Sequence, residues 1–187
     1  MKFPKIMLLT LLALLTLVAL FIVPSTALAQ TDDTPPVITP NVSGSRGQNG
    51  WYVSNVTVSW SVSDAESTVS STTGCETRGF PYINNGITPL TCEATSGGGA
   101  NSASITIKMD TIDPIVEFSV SSSPNRYDWY NTDVTVSYNG YDGISGIAFC
   151  SPDDTLRAEG RYQSATGSCT DNAGNSGGNG TGFINID

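Results

Sequence analysis

The chain repeats itself at a fixed offset of 78 residues. Trp51-Tyr52 recurs as Trp129-Tyr130, and Val56-Thr57-Val58-Ser59-Trp60 recurs as Val134-Thr135-Val136-Ser137-Tyr138. Asp64 recurs as Asp142, and Pro36-Val37-Ile38 as Pro114-Ile115-Val116. A period this long is long enough for each unit to bury a core of its own, unlike a solenoid repeat. Two small domains in tandem are therefore expected: residues 30–110 and residues 111–187.

Residues 1–29 stand apart. Lys2 and Lys5 give a basic start, Ile6 to Val23 is an apolar run broken only by Thr10 and Thr16, and Ala27-Leu28-Ala29 offers small residues before Gln30. That order reads as a secretory signal peptide. The run is nearly long enough to span a bilayer, so an uncleaved anchor is the competing reading. Cleavage after Ala29 leaves no membrane span in the mature chain, and it places the chain at the cell surface or in the medium.

Loss of Lys2 and Lys5 reduces 8 basic residues to 6 against 17 acidic ones, a net charge of −11. Such a chain is repelled by nucleic acid and by anionic lipid. The acidity serves solubility on one reading and calcium on another.

Units of about 78 residues bury a modest core and often need a covalent staple. Four cysteines fall two to a repeat, Cys75 and Cys92, then Cys150 and Cys169, spaced 17 and 19 residues apart. Of the three possible pairings, the repeat favours Cys75–Cys92 and Cys150–Cys169. Zinc is disfavoured, because the chain has no histidine and no Cys-x-x-Cys spacing.

Strand signals dominate. Val56, Val58, Trp60 and Val62 alternate with polar residues, as do Val134, Val136 and Tyr138. Period two with β-branched residues marks a strand with one buried face, which points Trp60 and Tyr138 inward. Ile105 and Ile107, Ile184 and Ile186, and Val116, Phe118 and Val120 give further alternating runs. Gly, Asn and Asp turns are closely spaced, at Asn49-Gly50, Asn84-Asn85-Gly86, Gly97-Gly98-Gly99, Asp142-Gly143 and Ala173-Gly174-Asn175. The pattern is all-β, with about seven strands per repeat. The linker Asp110-Thr111-Ile112-Asp113-Pro114 is stiffened by proline, so the units are expected to stand end to end. Asp187 falls where a further linker would begin, which leaves open a minimal pair or a piece of a longer array.

The set Trp129-Tyr130, Val134-Thr135-Val136, Asp142-Gly143-Ile144-Ser145-Gly146-Ile147 and Cys169-Thr170-Asp171-Asn172-Ala173-Gly174-Asn175 resembles the bacterial immunoglobulin-like repeat of secreted and surface-attached proteins. The resemblance covers Thr31 to Asp187. It implies an immunoglobulin-like sandwich used as a spacer or adhesion module, with no activity. Repeat 1 departs from the motif, with Cys92-Glu93-Ala94-Thr95-Ser96-Gly97-Gly98-Gly99 in place of the Thr-Asp-x-Ala-Gly-Asn turn.

Catalytic machinery is not legible. No histidine is available as a base near neutral pH. Asp32-Asp33 and Asp153-Asp154 are sequence neighbours, whose side chains point apart on an extended segment. An enzyme is not expected, and no cofactor is called for. Calcium is the one metal worth naming, at Asp110 and Asp113 in the linker, with Asp142 and Asp171 as further oxygen donors in turns. The competing reading is that these residues only shape turns. Candidate ligand contacts are Trp51, Tyr52, Tyr127, Trp129 and Tyr130. Trp51 and Trp129 are expected to face outward or cap the sandwich end, and Tyr127 has no counterpart in repeat 1. The partner would be an extracellular protein or a glycan, and a glycan-binding accessory module is the alternative to the spacer. Asn41-Val42-Ser43, Asn55-Val56-Thr57 and Asn179-Gly180-Thr181 fit the N-glycosylation pattern, by chance in a bacterial-type chain.

Overall fold

A computed structural model describes residues 31–187. The expected signal segment, residues 1–29, lies outside the described residues. Asp32–Asp187 forms one contact unit that holds both repeats. Its strands are all antiparallel, and among the described residues no helix is long and apolar enough to cross a membrane, which says nothing of a β-barrel.

Repeat 1 has six strands: β1 (Val37–Ser43), β2 (Val56–Ser63), β3 (Ser71–Thr73), β4 (Arg78–Phe80), β5 (Gly86–Ser96) and β6 (Gly99–Met109). They form two sheets, in the orders β1-β2-β4 and β3-β5-β6. Val58 lies opposite Val42, and Leu90 opposite Ile105. The core holds Tyr52, Val56, Val58, Phe80, Leu90, Ile107 and Met109, with Trp60 and Ile105 packed against it half-buried.

Repeat 2 has eight strands: β7 (Ile115–Val120), β8 (Val134–Tyr141), β9 (Ile147–Cys150), β10 (Asp154–Leu156), β11 (Gly160–Gln163), β12 (Thr166–Asp171), β13 (Ser176–Gly180) and β14 (Ile184–Ile186). The sheets run β10-β8-β7 and β13-β12-β9, with β11 paired to β14. Val116, Val134, Val136, Tyr138, Ala165, Cys169, Ile184 and Ile186 make a second core. The architecture is all-β and of the immunoglobulin-like sandwich class. The expected seven strands per repeat become six and eight, because repeat 2 breaks its middle segment into the short β9, β10 and β11 at Ser151-Pro152 and around Gly160. Alternation fails in β7 after Val116, where Phe118 and Val120 stay exposed.

Both expected disulfides are present, Cys75–Cys92 and Cys150–Cys169. Each joins neighbours within one sheet, not sheet to sheet. Cys150 and Cys169 sit directly opposite one another on β9 and β12, with Cα atoms 4.0 Å apart. Cys75 follows β3, which pairs with the β5 strand carrying Cys92. Gly167 on β12 keeps this region tight: a Cβ there would lie 2.5 Å from the Tyr138 ring.

Candidate functional site: the carboxylate joint between the repeats

The chain leaves β6 at Met109 and turns through Asp110. The Asp110 N–H donates to Tyr52 O (2.9 Å), and Tyr52 N–H to Lys108 O (2.8 Å). These bonds pin the end of the strand to the Trp51-Tyr52 segment. Asp110 has no exposed surface, because repeat 2 closes over it. Its Oδ1 accepts the Ile112 N–H (3.1 Å), its Oδ2 accepts Ser145 N–H (3.1 Å), and its carbonyl accepts the Asn175 side-chain amide (3.2 Å).

Two turns of repeat 2 bring further carboxylates. Asp142 Oδ1 accepts the N–H groups of Ile144, Ser145 and Gly146 at 3.0, 2.8 and 2.8 Å. Asp171 Oδ1 accepts those of Ala173, Gly174 and Asn175 at 2.8, 2.6 and 2.9 Å, and its Oδ2 takes the Asn175 amide at 2.8 Å. Asn172 then ties one turn to the other through the carbonyls of Ser145 and Gly146. Local hydrogen bonding of this kind is why Asp and Asn suit turns. One carboxylate oxygen from each of Asp110, Asp142 and Asp171 lies within 4.8 Å of the others. Asp171, like Asp110, is fully buried, and Asp142 is half-buried.

The turn Asn172–Asn175 also docks on repeat 1. Gln48 N–H donates to Ala173 O (2.7 Å), and the Asn49 amide donates to Asn172 O (2.9 Å). Contact is close enough that a Cβ on Gly47 would lie 2.2 Å from the Ala173 oxygen. Only glycine fits there.

Repeat 1 carries a reduced version of the same arrangement. Asp64 Oδ1 accepts Glu66 N–H (2.8 Å) and Ser67 N–H (2.9 Å), and the Ser67 hydroxyl donates to Asp32. The third carboxylate is missing: two positions after the cysteine stands Ala94, where repeat 2 has Asp171. The Ser67 and Glu66 amides hold the Asp64 carboxyl below its usual pKa, aided by the neighbouring Ser96 hydroxyl and opposed by burial. The Ser96 hydroxyl and Asp64 Oδ2 do not reach hydrogen-bond geometry, so the amides are the dependable cause.

Of the sequence candidates, Asp110 joins the cluster and Asp113 does not; Asp113 is exposed on the linker. Asp142 and Asp171 join it from turns 32 and 61 residues downstream of Asp110. Sequence order does not reveal which turns converge. Of the two placements expected for Trp51, facing outward or capping the sandwich end, the outward one does not hold: it is 6% exposed, with Lys108 Nζ 5.1 Å above its ring. Tyr52 is buried in the core. Trp129 and Tyr130 are half-buried, and Tyr127 is 66% exposed. A shallow polar groove crosses β3, β5 and β6, lined by Ser71, Thr73, Glu93 and Asn101 among others; Glu93 is its only ionisable side chain.

No family model matches the chain, and no curated protein matches it. Among solved structures, it is similar to the fibronectin(III)-like modules of Clostridium thermocellum CbhA, at 13% identity and a TM-score of 0.33 over 81% of this chain and 94% of that one.

Proposed function

We propose that the chain is an exported, non-catalytic spacer or adhesion module, in which residues 30–110 and 111–187 form two sandwich domains held at a fixed angle. The observation that carries this reading is the joint itself: Asp110, the end of one unit, is bonded through Oδ2 and its carbonyl to two turns of the next. A flexible linker would leave that residue in solvent. Two disulfides, one in each unit, suit an oxidising compartment. Expression with residues 1–29 in a bacterial host tests the export reading. Recovery outside the cytoplasm, beginning at Gln30 with both disulfides closed, supports it; a cytoplasmic chain with free thiols and Met1 intact overturns it.

Calcium at the joint is a finer part of the same proposal. Three carboxylates converge, two of them fully buried, and among the described residues the ion pair within 4.0 Å is Arg157–Asp133, not a partner for any of them. Buried negative charge is costly without a countercharge, and hard oxygen donors suit Ca²⁺. The mature chain should melt several degrees higher in calcium than in chelator, roughly the shift of 1–2 kcal/mol in a chain this size. That difference should vanish in Asp171→Asn. Identical melting curves in calcium and chelator would remove the metal and leave the spacer standing.

A further inference from the structure

The far end of repeat 2 is the counterpart of the face of repeat 1 that forms the joint. Asn125 N–H donates to Trp129 O (2.7 Å) as Gly47 N–H does to Trp51 O (2.9 Å). Tyr130 bridges Ile186 as Tyr52 bridges Met109. Asp187 N–H reaches Tyr130 O (3.0 Å) as Asp110 N–H reaches Tyr52 O. The surfaces differ where it matters. Asn125 stands in place of Gly47, so the close approach of a carbonyl that makes the joint is blocked. The Asn125 side chain instead accepts the N–H groups of Tyr127 (2.9 Å) and Trp129 (3.2 Å). Arg126 and Tyr127 replace Gln48 and Asn49. This end is therefore not a second copy of the joint.

It presents aromatic rings and guanidinium groups together. Arg126 lies 4.6 Å over the Tyr127 ring, and Arg161 lies 5.0 Å over Trp129. Tyr162 and Phe183 meet edge to face at 5.3 Å while remaining 67% and 74% exposed. The Tyr162 backbone is left-handed, with φ at 61°. That conformation is costly for a bulky aromatic, and burial does not repay it here. Asn185 holds the two parts together, accepting Tyr162 N–H (3.1 Å) and donating to Asp128 O (3.2 Å). Neither Arg126 nor Arg161 has a carboxylate within 4.0 Å among the described residues, in a chain with a large acidic excess.

We propose that this end binds a carboxylate-bearing saccharide, such as a uronic-acid oligomer. A sugar ring offers an apolar C–H face to an aromatic ring and hydroxyls to the amides of the rim, while its carboxylate matches the planar fork of an arginine. A protein partner would need about 800 Å² of continuous complementary surface, more than a few side chains at one sandwich end supply. The assignment goes beyond the spacer reading and does not need it.

The test is titration of the mature chain with oligogalacturonate, with a neutral galactose oligomer of equal length, and with polyglutamate. Saturable binding to the uronate alone is expected, at least about tenfold weaker in Arg161→Ala. Tyr162→Gly should weaken it as much while relieving the left-handed backbone, so the fold is retained and melting does not fall. Tyr82→Ala, an exposed tyrosine of repeat 1, should bind as the parent does. No uronate binding up to about 10 mM overturns the proposal. So does equal affinity for polyglutamate, which would mean charge alone or a peptide partner, or unchanged affinity in Arg161→Ala and Tyr162→Gly.

Discussion

Tyr138 shows how a single buried group shapes this fold. Its ring fills the repeat 2 core under Gly167, but its hydroxyl is buried without a hydrogen-bond partner. Burial, and then the negative charge of Asp154, push its pKa above the usual 10. A folded-state pKa raised in this way contributes stability below pH 10, and that contribution is lost as the pH climbs through the folded value. Tyr138→Phe removes the unsatisfied hydroxyl and keeps the ring. It should leave stability at pH 7 unchanged or raise it by up to about 1 kcal/mol, and flatten the loss of stability above pH 10. Urea melts at pH 7 and pH 10.5 would show both effects; a loss above about 1 kcal/mol at pH 7 would mean that the hydroxyl is satisfied. The inward placement of Tyr138 was legible from alternation along Val134, Val136 and Tyr138. For Trp51 the sequence left two placements open, because its cation partner, Lys108, lies 57 residues away on β6.

At the scale of elements, the short strands are the weak parts, and the disulfides hold them. β3 spans three residues and is followed by the half-cystine Cys75, and β9 spans four and ends in the half-cystine Cys150; each is tied to the central strand of its sheet. Closing loops of this size is worth about 3 kcal/mol in the chain-entropy model. Cys150→Ala with Cys169→Ala should cost about that much, measured by denaturant unfolding, and should open β9 and β12 first in hydrogen exchange. A loss under about 1 kcal/mol would show that the sheet holds β9 without its staple. Pairing was readable from the repeat, since matching spacings leave one arrangement that serves both copies. Strand number was less so: Ser151-Pro152 and Arg157-Ala158-Glu159 interrupt repeat 2 where period-two reasoning sees only loops. Phe118 was misplaced for a related reason. Beyond Val116 every residue of β7 is exposed, so alternation there does not point into the core.

For the molecule as a whole, the joint decides what the chain can do. The linker composition led to an expectation of stiffness; at that linker a turn of repeat 2 seats on Gly47 and carboxylates from three separate segments converge. Only Asp110 among these was marked by its place in a linker; Asp142 and Asp171 look in sequence like ordinary turn formers, which locally they are. Residual dipolar couplings on the mature chain test the fixed joint most directly. The account predicts that a single alignment tensor fits both repeats, and that Gly47→Ala, which sets a methyl group against the Ala173 oxygen, splits it into two. Separate tensors for the two repeats of the unaltered chain would contradict it.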